Sequence, residues 1–378
     1  MAYLISEEGK ELLEDVKRFC SPKMKKICQD CDGSGEWPRQ LYEEACALGY
    51  HTLEIPEEYG GLGISVVDAA ALLEQLAVAD AGFAVTIAAS SLGLQPVLIA
   101  GSDEQKRQAC EMVLDGGLGA FCLTEPQAGS DAGALCTTAV LEDDFYVLNG
   151  RKTFITNGSV AAFYTVAAMT LQGMGTRGIS MFFVDAKTPG VTVDNHIDKM
   201  GIRTSDTCDV VFENCRIPKS CLIGEENRGF SVAMKTLDGA RAFMGCVAVG
   251  IAQRAMEEAI AYGKKREQFG RPIVRNQAIQ FKIADMEIKI ETARQMTAHA
   301  LTRMEQGLSF CMETAIAKCY SADIAVETAL EAIQIYGGYG YCRDYPVEKL
   351  LRDAKIFQIF EGTNEILRMV ISNSLLDG

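Results

Sequence analysis

The chain has 378 residues, of which 48% are hydrophobic and 23% are charged. These values are those of a globular protein of more than one domain, and they exclude a disordered or fibrous chain. The formal net charge of -15 opposes binding to nucleic-acid phosphates or to an anionic membrane surface, so we expect a soluble acidic enzyme with neither partner.

The N-terminus and the cysteines bear on the cellular compartment. The first eight residues lack a basic segment followed by an apolar one, which is the pattern of a secretory signal. The 14 cysteines are irregularly spaced, as is typical of reduced thiols. Cys28 and Cys31 have zinc or redox spacing, but no second pair or nearby His completes a ligand set. We therefore expect a cytoplasmic protein without a metal.

Residues 1–117 predict an N-terminal α-helical domain. The segment 8–16 is amphipathic, and 69–79 consists mostly of Ala and Leu, which are strong helix formers. Residues 81–101 carry no charge and are long enough to cross a membrane. The polar residues Ser90, Ser91 and Gln95 and the adjacent Pro96 favour a buried helix and loop instead.

Residues 118–227 predict a middle antiparallel β domain. The β-prone runs 145–148 and 152–156 flank Asn149-Gly150, a sequence that favours a hairpin turn. Residues 179–184 and 208–212 indicate further strands.

Residues 228–378 predict a C-terminal helical domain, a four-helix bundle. Apolar residues at helical spacing form one long stripe, namely Ile279, Ile283, Met286, Ile290, Ala293, Leu301 and Met304. The fold class is therefore α+β and multidomain, with helices, a small β domain and a bundle in that order.

The residues available for chemistry exclude several kinds of site. No G-x-G-x-x-G follows a predicted strand and no P-loop is present, so a nicotinamide site is poorly supported. The three His residues are not spaced as ligands or as a triad. A carboxylate must then perform any acid–base step. Glu361 is the candidate, because apolar Phe360 beside it and a packed neutral ligand would raise its pKa.

Two motifs, residues 121–131 (FCLTEPQAGSD) and 360–365 (FEGTNE), resemble the signatures of the flavin-dependent acyl-CoA dehydrogenases. Their order and spacing fit that family along nearly the whole chain, with the short- and medium-chain, butyryl-CoA dehydrogenase-like members as the nearest type. The resemblance implies the family's three-domain fold. It also implies FAD-dependent α,β-dehydrogenation of an acyl-CoA thioester to the 2-enoyl-CoA, a reaction of fatty acid metabolism, with electrons passed to electron-transfer flavoprotein.

The resemblance assigns the catalytic base to Glu361, whose backbone N–H would polarise the thioester carbonyl. Some relatives, including the isovaleryl type, carry the base on a bundle helix just before an Arg. That position here is Ala240, before Arg241, and Ala cannot accept a proton.

The resemblance also assigns contacts with FAD. The isoalloxazine contacts are expected at Phe121, Leu123, Thr124, Gly129, Ser130, Phe154, Ile155 and Thr156. Many relatives have Trp where this chain has Phe154. Contacts with the adenosine and pyrophosphate half, made across a subunit interface, are expected at Arg266, Gln268, Phe269, Gln277, Gln334, Gly337 and Gly338, and Thr363, Asn364 and Glu365 would complete the site. FAD binding on this pattern requires an oligomer, and we expect a homotetramer.

Coenzyme A contacts are suggested by the same matching at Ser130, Asp238, Arg241 and Gly362. The far end of the acyl pocket would be lined by the small residues Ala84, Val85 and Ala88, which leave space. Phe243 and Met244 could refill that space, so the preferred acyl chain length stays open.

Two other functions remain open from the sequence. A flavin with a carboxylate acid/base also catalyses the reverse reaction, that of an enoyl-CoA or arylacrylyl-CoA reductase. A non-catalytic helical binding or scaffold protein would explain the amphipathic helices, but would leave the two motifs without a purpose.

Overall fold

A computed structural model describes residues 5–376 of the chain. Six helices come first: α1 (Glu7–Phe19), α2 (Pro22–Ser34), α3 (Arg39–Ala47), α4 (Val66–Ala79), α5 (Ala81–Ala100) and α6 (Asp103–Leu114). Side chains cap several of their N-termini, as Ser6 does for α1 and Asp80 for α5. The predicted helical character of this region is confirmed.

Helix α5 is the long uncharged segment of the sequence. It is one continuous helix that contains Pro96, and of the predicted buried helix and loop over residues 81–101 only Gly101 lies outside it. Within residues 5–376 it is the one helix long and apolar enough to cross a membrane, and 72% of that window is buried inside the protein. It packs on α4 and on the first strand of the sheet, as a core helix does.

The middle region forms one eight-stranded sheet. Its strands are β1 (Leu118–Cys122), β2 (Thr138–Glu142), β3 (Phe145–Thr156), β4 (Ala161–Met169), β5 (Ile179–Asp185), β6 (Val191–Asp194), β7 (Thr207–Pro218) and β8 (Leu222–Ile223). The order is β6-β7-β3-β2-β4-β5-β8, with β1 paired to β4. Most pairs are antiparallel, but β1 runs parallel to β4, and β2 meets the end of β4 in parallel.

The predicted hairpin turn at Asn149-Gly150 is wrong. Strand β3 runs straight through these residues, and the turn lies at residues 143–144, since Glu142 pairs with Phe145. The register shifts between Leu148 and Gly150, which marks an irregularity inside the strand. A Cβ on Gly150 would meet Thr137 Oγ1 at 2.3 Å. The glycine therefore serves close packing within a strand and not a turn.

The chain then returns to helices: α7 (Gly229–Lys265), α8 (Gln277–Glu305), α9 (Cys311–Tyr336), α10 (Val347–Lys355) and α11 (Asn364–Leu376). A two-stranded ribbon of β9 (Glu267–Gln268) and β10 (Arg271–Pro272) separates α7 from α8. The predicted apolar stripe lies on α8. Met286, Ile290, Ala293 and Leu301 are buried, and the other three residues of the stripe pack against the same core.

The helices that precede the sheet in the sequence pack directly on those that follow it. Both α4 and α5 pack on α7, so the N-terminal and C-terminal helices share one hydrophobic core. The loop between α10 and α11 carries Glu361 and is joined to α9 by the hydrogen bond from Lys318 to the Gly362 carbonyl. The fold therefore brings residues from three distant parts of the sequence around Glu361.

Candidate active site

Glu361 lies in a short loop whose backbone is held by its neighbours. Its φ is +52°, in the left-handed region that non-glycine residues rarely adopt, and Gly362 follows with φ +94°. The buried Lys318 of α9 donates a hydrogen bond to the Gly362 carbonyl at 2.8 Å. Asn364 donates to the Cys319 carbonyl at 3.2 Å. Strained backbone of this kind persists only where surrounding contacts determine it, and it clusters at functional sites.

The Glu361 carboxyl group is in an environment that favours its neutral form. Burial raises its pKa from the ordinary value to about 7, against the nearby positive charges of Lys318 and Arg241. Within residues 5–376, its buried Oε2 has no hydrogen-bond partner. A carboxyl group that titrates near neutrality and keeps a lone pair free can accept a proton from a ligand.

A cavity of about 430 Å³ opens over Glu361, between α5 and α7. Its walls include Ala88 and Leu92 of α5 and Gly239, Ala240 and Phe243 of α7. Ala240, the position at which some relatives carry the base, thus faces the same space as Glu361. Since a methyl group cannot take a proton, Glu361 is the better candidate of the two.

The residues predicted to contact coenzyme A are brought together only in part. Asp238 lines the cavity and pairs with Arg241 at 2.5 Å. Gly362 belongs to the Glu361 loop. Ser130 is exposed on the β domain and is not among the residues that line the cavity.

The residues predicted to line the acyl pocket also divide. Ala88, Phe243 and Met244 line the cavity, whereas Ala84 and Val85 are fully buried and lie outside its lining.

The two segments predicted to bind the isoalloxazine lie side by side. The Thr153 backbone N–H donates to the Thr124 carbonyl at 2.9 Å, which joins them. Leu123 and Ile155 are buried in the protein core, so they can offer a ligand only backbone groups. Phe154 is 65% exposed and has φ +56°. Phe121, Thr124 and Thr156 are half-buried, and Gly129 and Ser130 are exposed.

Glu125, in the same motif, is a buried carboxylate with many partners. It pairs with Lys152 at 2.7 Å and accepts backbone hydrogen bonds from Cys136 and Thr137. Burial by itself would raise the Glu125 pKa, but the Lys152 charge and these hydrogen bonds hold it below the ordinary value. This carboxylate fastens the loop after β1 to strand β3.

A second cavity, of about 440 Å³, gathers residues predicted to bind the adenosine half of FAD. Arg266, Gln268, Gly337 and Gly338 line it. The Arg266 guanidinium also lies over the Tyr339 ring, 5.5 Å from its centroid. Phe269, Gln277 and Gln334 are exposed and lie outside its lining.

Open space beside several glycines fits a bound dinucleotide. No atom lies within 4 Å of the place where a Cβ would stand on Gly129, Gly337 or Gly338. Backbone groups there are free to approach a ligand closely. With a guanidinium for a phosphate and aromatic rings for a base, the residues present fit FAD.

The remaining predicted residues are at the start of α11. Thr363 and Glu365 line a third, open cavity of about 490 Å³ beside Arg368. Thr363 Oγ1 accepts a hydrogen bond from the Ile366 N–H, so it also caps α11. Glu365 is exposed. The buried Asn364 holds the helix to α9 through Asp323.

Sequence reasoning missed three polar residues of this site, Lys318, Glu54 and Gln95. Lys318 is buried in α9, and its sequence signal is one Lys among small residues, Ala315-Ile316-Ala317-Lys318. Glu54 and Gln95 both line the Glu361 cavity, and Gln95 donates to Glu54 at 3.2 Å. Gln95 lies in an uncharged and mostly apolar stretch, which was its available signal, whereas Glu54 is followed closely by Glu57 and Glu58 and has no such signal.

Comparison with known proteins gives one family for all three regions. The acyl-CoA dehydrogenase N-terminal domain matches residues 6–117, the middle domain 120–215 and the C-terminal domain 227–376. The chain is 41% identical to the short-chain specific acyl-CoA dehydrogenase of Megasphaera elsdenii, over 100% of both chains. It is also 41% identical to the 3-(aryl)acrylate reductase of Clostridium sporogenes, over 98% of this chain and 99% of that one.

Solved structures agree with this. A chain from work on the electron transferring flavoprotein of Acidaminococcus fermentans and flavin-based electron bifurcation superposes with a TM-score of 0.97, at 42% identity, over 100% of both chains. PigA with FAD and proline superposes with a TM-score of 0.94, at 29% identity and the same coverage. The three matched domains, in this order and on this fold, show that the chain belongs to the acyl-CoA dehydrogenase family.

Proposed function

We propose that this protein is an FAD-dependent acyl-CoA dehydrogenase that converts a short acyl-CoA thioester to the 2-enoyl-CoA. The observation that carries the proposal is the Glu361 carboxyl group. It faces a cavity, titrates near neutrality and has a buried oxygen free to accept a proton. The similarity to a short-chain specific acyl-CoA dehydrogenase supports the choice of substrate class.

The chain's own residues account for the proton half of the reaction. The acyl group would lie in the cavity with its α-carbon beside Glu361, which takes the α-proton as the carbon–hydrogen bond breaks. The Glu361 backbone N–H would donate to the thioester oxygen and stabilise the charge that develops there. Lys318 holds the Gly362 carbonyl and so keeps this loop in place. FAD, when bound, would supply the acceptor for the hydride that leaves the β-carbon.

The fit of FAD is supported by the open glycines, the Arg266 cavity and the FAD bound to a structural neighbour. We expect the purified protein to be yellow and to hold FAD without a covalent bond. Arg266→Ala should weaken FAD binding by a few kcal/mol, because a charge-assisted phosphate contact is lost. Arg271→Ala, a change at an exposed residue of the ribbon that directly follows Arg266, is the control. If Arg266→Ala binds FAD as tightly as the Arg271→Ala control, Arg266 is not a phosphate contact.

The reverse reaction is a second candidate, because the chain is equally similar to an arylacrylate reductase. Glu361 would then deliver a proton to the α-carbon of a 2-enoyl-CoA. The same carboxyl group serves both directions, and the reduction potentials of the partners decide between them. Family membership and the Glu361 cavity favour either reaction over a non-catalytic scaffold.

We further propose a homotetramer whose neighbouring subunits complete the FAD site. Arg266, Gly337 and Gly338 are on the bundle side of the molecule, far in sequence from the isoalloxazine segments, and large apolar side chains such as Phe281 and Ile288 of α8 are exposed. Such residues would be covered in a closed assembly. Light scattering that finds a monomer with stoichiometric FAD would contradict this.

We also propose that this protein is cytoplasmic and that its electron partner is electron-transfer flavoprotein. The support is the structural neighbour solved in work on an electron transferring flavoprotein. The proposal is tested by the rate at which the thioester-reduced protein passes electrons to that partner in solution.

The decisive experiment for the function is anaerobic mixing of the holoprotein with saturated short, medium, branched and arylpropionyl-CoA thioesters. We expect the flavin absorbance near 450 nm to bleach with at least one of them, and the fastest defines the acyl pocket. If none bleaches the flavin while 2-enoyl-CoA thioesters reoxidise a reduced sample, the reductase direction is favoured. A colourless protein that binds no flavin would contradict both the dehydrogenase and the reductase function.

A further inference from the structure

Glu54 is a carboxyl group inside the substrate cavity for which the proposed reaction has no use. It lies in the loop between α3 and α4 and lines the same cavity as Glu361. Gln95 of α5 donates to its Oε2 at 3.2 Å. Burial raises the Glu54 pKa to about 7, against hydrogen bonds from Ser91 and Gln95. None of the ion pairs described within residues 5–376 includes Glu54, so its charge is not neutralised by a neighbouring cation.

A third polar group completes this wall. Thr236 of α7 also lines the cavity, and its side chain is only 1% exposed. Within the described residues its hydroxyl oxygen has no hydrogen-bond partner. A buried hydroxyl without a partner is unfavourable, and a ligand group that pairs with it relieves that cost.

Helix geometry explains why Gln95 faces the ligand. Ala88, Leu92, Gln95 and Ile99 line the cavity and are spaced four, three and four residues apart, so they share one face of α5. Three of the four are apolar, and Gln95 is the polar exception. Its hydrogen bond to Glu54 joins the two polar groups at the cavity.

Glu54 lines the same cavity as Glu361, the proposed base. Its negative charge acts on Glu361 and contributes to the raised pKa of that base. Lys235, which lines the cavity and is exposed, lies at the solvent side. A substituent on an acyl chain that occupies this cavity can therefore meet Glu54.

We propose that Glu54, Gln95 and Thr236 form a polar subsite that selects acyl-CoA thioesters carrying a hydroxyl group on the distal part of the acyl chain. A plain alkyl chain would bury the Glu54 carboxyl and the Thr236 hydroxyl without giving either a partner. A hydroxyl group can donate to Glu54 and accept from Thr236 or the Gln95 amide. An ammonium group can only donate, and it would lie close to the cations Lys318 and Arg241 beside Glu361.

This inference rests on the proposed function, and the experiment separates the two. The holoprotein is mixed anaerobically with matched pairs of thioesters of equal size: 4-hydroxybutyryl-CoA with pentanoyl-CoA, and 3-(4-hydroxyphenyl)propionyl-CoA with 3-(4-methylphenyl)propionyl-CoA. Flavin reduction by any of the four thioesters supports the proposed dehydrogenase function, but it does not test the polar subsite. The ratio of kcat/KM between the two members of each pair tests the subsite.

We expect the hydroxylated member of at least one pair to be favoured by about tenfold or more in kcat/KM, as for a site built to hydrogen-bond a substrate hydroxyl. Glu54→Leu should abolish that preference and raise the rate with the alkyl partner. Glu58→Leu, an exposed residue of the same loop, should leave the preference unchanged. Thr236→Val, which keeps the shape and removes a hydroxyl that has no partner, should lower the preference while retaining FAD.

Two results would overturn the proposal. The first is a wild-type protein that reduces its flavin with both members of each pair at equal kcat/KM. The second is an equal loss with both members in Glu54→Leu and Thr236→Val, because the wall would then contact the part of coenzyme A that all thioesters share. Binding to the Glu361→Gln holoprotein, measured by calorimetry, gives the same ratio without turnover.

Discussion

Two buried carboxylates of this protein, Glu125 and Glu361, lie in motifs that look equally functional in sequence. The Glu125 carboxylate has Lys152 at 2.7 Å and two backbone donors, and its pKa is lowered. The Glu361 carboxyl group faces a cavity, has one oxygen without a partner and has a pKa of about 7. The number of donors around each group separates a structural carboxylate from a reactive one.

The physical reason is what each environment does to the charged form. Donors and a cation compensate the buried negative charge of Glu125, so it stays ionised and immobile. The charges of Lys318 and Arg241 offset the burial of Glu361 only in part, so its ionised form remains costly and it gains from taking a proton. The comparison predicts opposite consequences when each carboxylate is replaced by its amide.

The largest effect should come from Glu361→Gln. The amide keeps the shape and cannot accept the α-proton, so we expect flavin reduction in stopped flow to slow by about 10²–10⁴ or more. FAD content and acyl-CoA binding should be retained. Glu365→Gln, an exposed carboxylate four residues on, should keep most of the rate. Reduction of Glu361→Gln within a few-fold of wild type would remove Glu361 as the base.

The second effect should be on stability, with Glu125→Gln. Removing one partner of a buried ion pair leaves Lys152 uncompensated, at a cost on the order of 3 kcal/mol in the free energy of unfolding. We expect a clear fall in the melting temperature of the holoprotein. The rate of flavin reduction per bound FAD should stay close to wild type. A large loss of rate with an unchanged melting temperature would reverse the roles assigned to the two carboxylates.

The sequence predicted the larger elements and failed where tertiary packing decides. The stripe on α8 was predictable because helical periodicity alone selects its buried residues. Asn149-Gly150 was mistaken for a turn because the close approach of Thr137, which requires Gly150, cannot be read from neighbouring residues. The Glu361 position was predictable from its motif. The contacts that tune it, from Lys318 and Glu54, come from residues 43 and 307 positions away and left only weak local signals.

The third effect is a difference in the pH dependence of stability. The Glu361 pKa is raised in the folded state, so the folded protein binds the extra proton between about pH 4.5 and 7 and loses stability as the pH rises through that window. Glu361→Gln should therefore be more stable than wild type at pH 8, on the order of 1–2 kcal/mol, and nearly equal at pH 5.

Glu125 should behave in the opposite sense. Its folded-state pKa is lowered, so its contribution is present above the unfolded pKa and is lost as the pH falls through the folded value. The deficit of Glu125→Gln should be full at pH 7 and should narrow in acid. Melting temperatures of both variants and wild type, taken from pH 5 to 8, check the two trends together. The comparison would be contradicted if the difference in melting temperature from wild type changed with pH in the same direction for both variants.

The smallest effect concerns Lys318, the cation that holds the Glu361 loop through the Gly362 carbonyl. Burial lowers the Lys318 pKa to about 8, and the Glu361 charge acts against that shift. Its ammonium group donates to the Gly362 carbonyl, and its charge holds the Glu361 pKa below the value that burial alone would set. In Lys318→Met the Glu361 pKa should rise, so less base is ionised at pH 7. We expect flavin reduction at pH 7 to fall by about fivefold, because a rise of about one unit from a pKa of about 7 lowers the ionised fraction of Glu361 by that factor.

The pH profile distinguishes this electrostatic role from a purely structural one. If Lys318 acts through its charge, the acid limb of the rate profile moves to higher pH in Lys318→Met, and the rate recovers above that limb. Lys318→Arg, which keeps a positive charge, should restore part of the shift. Lys355→Met, an exposed lysine of α10, should leave the profile in place. A uniform loss at every pH, with no movement of the limb, would mean that Lys318 only holds the Gly362 carbonyl, because a lost hydrogen bond lowers the rate without changing the proton affinity of Glu361.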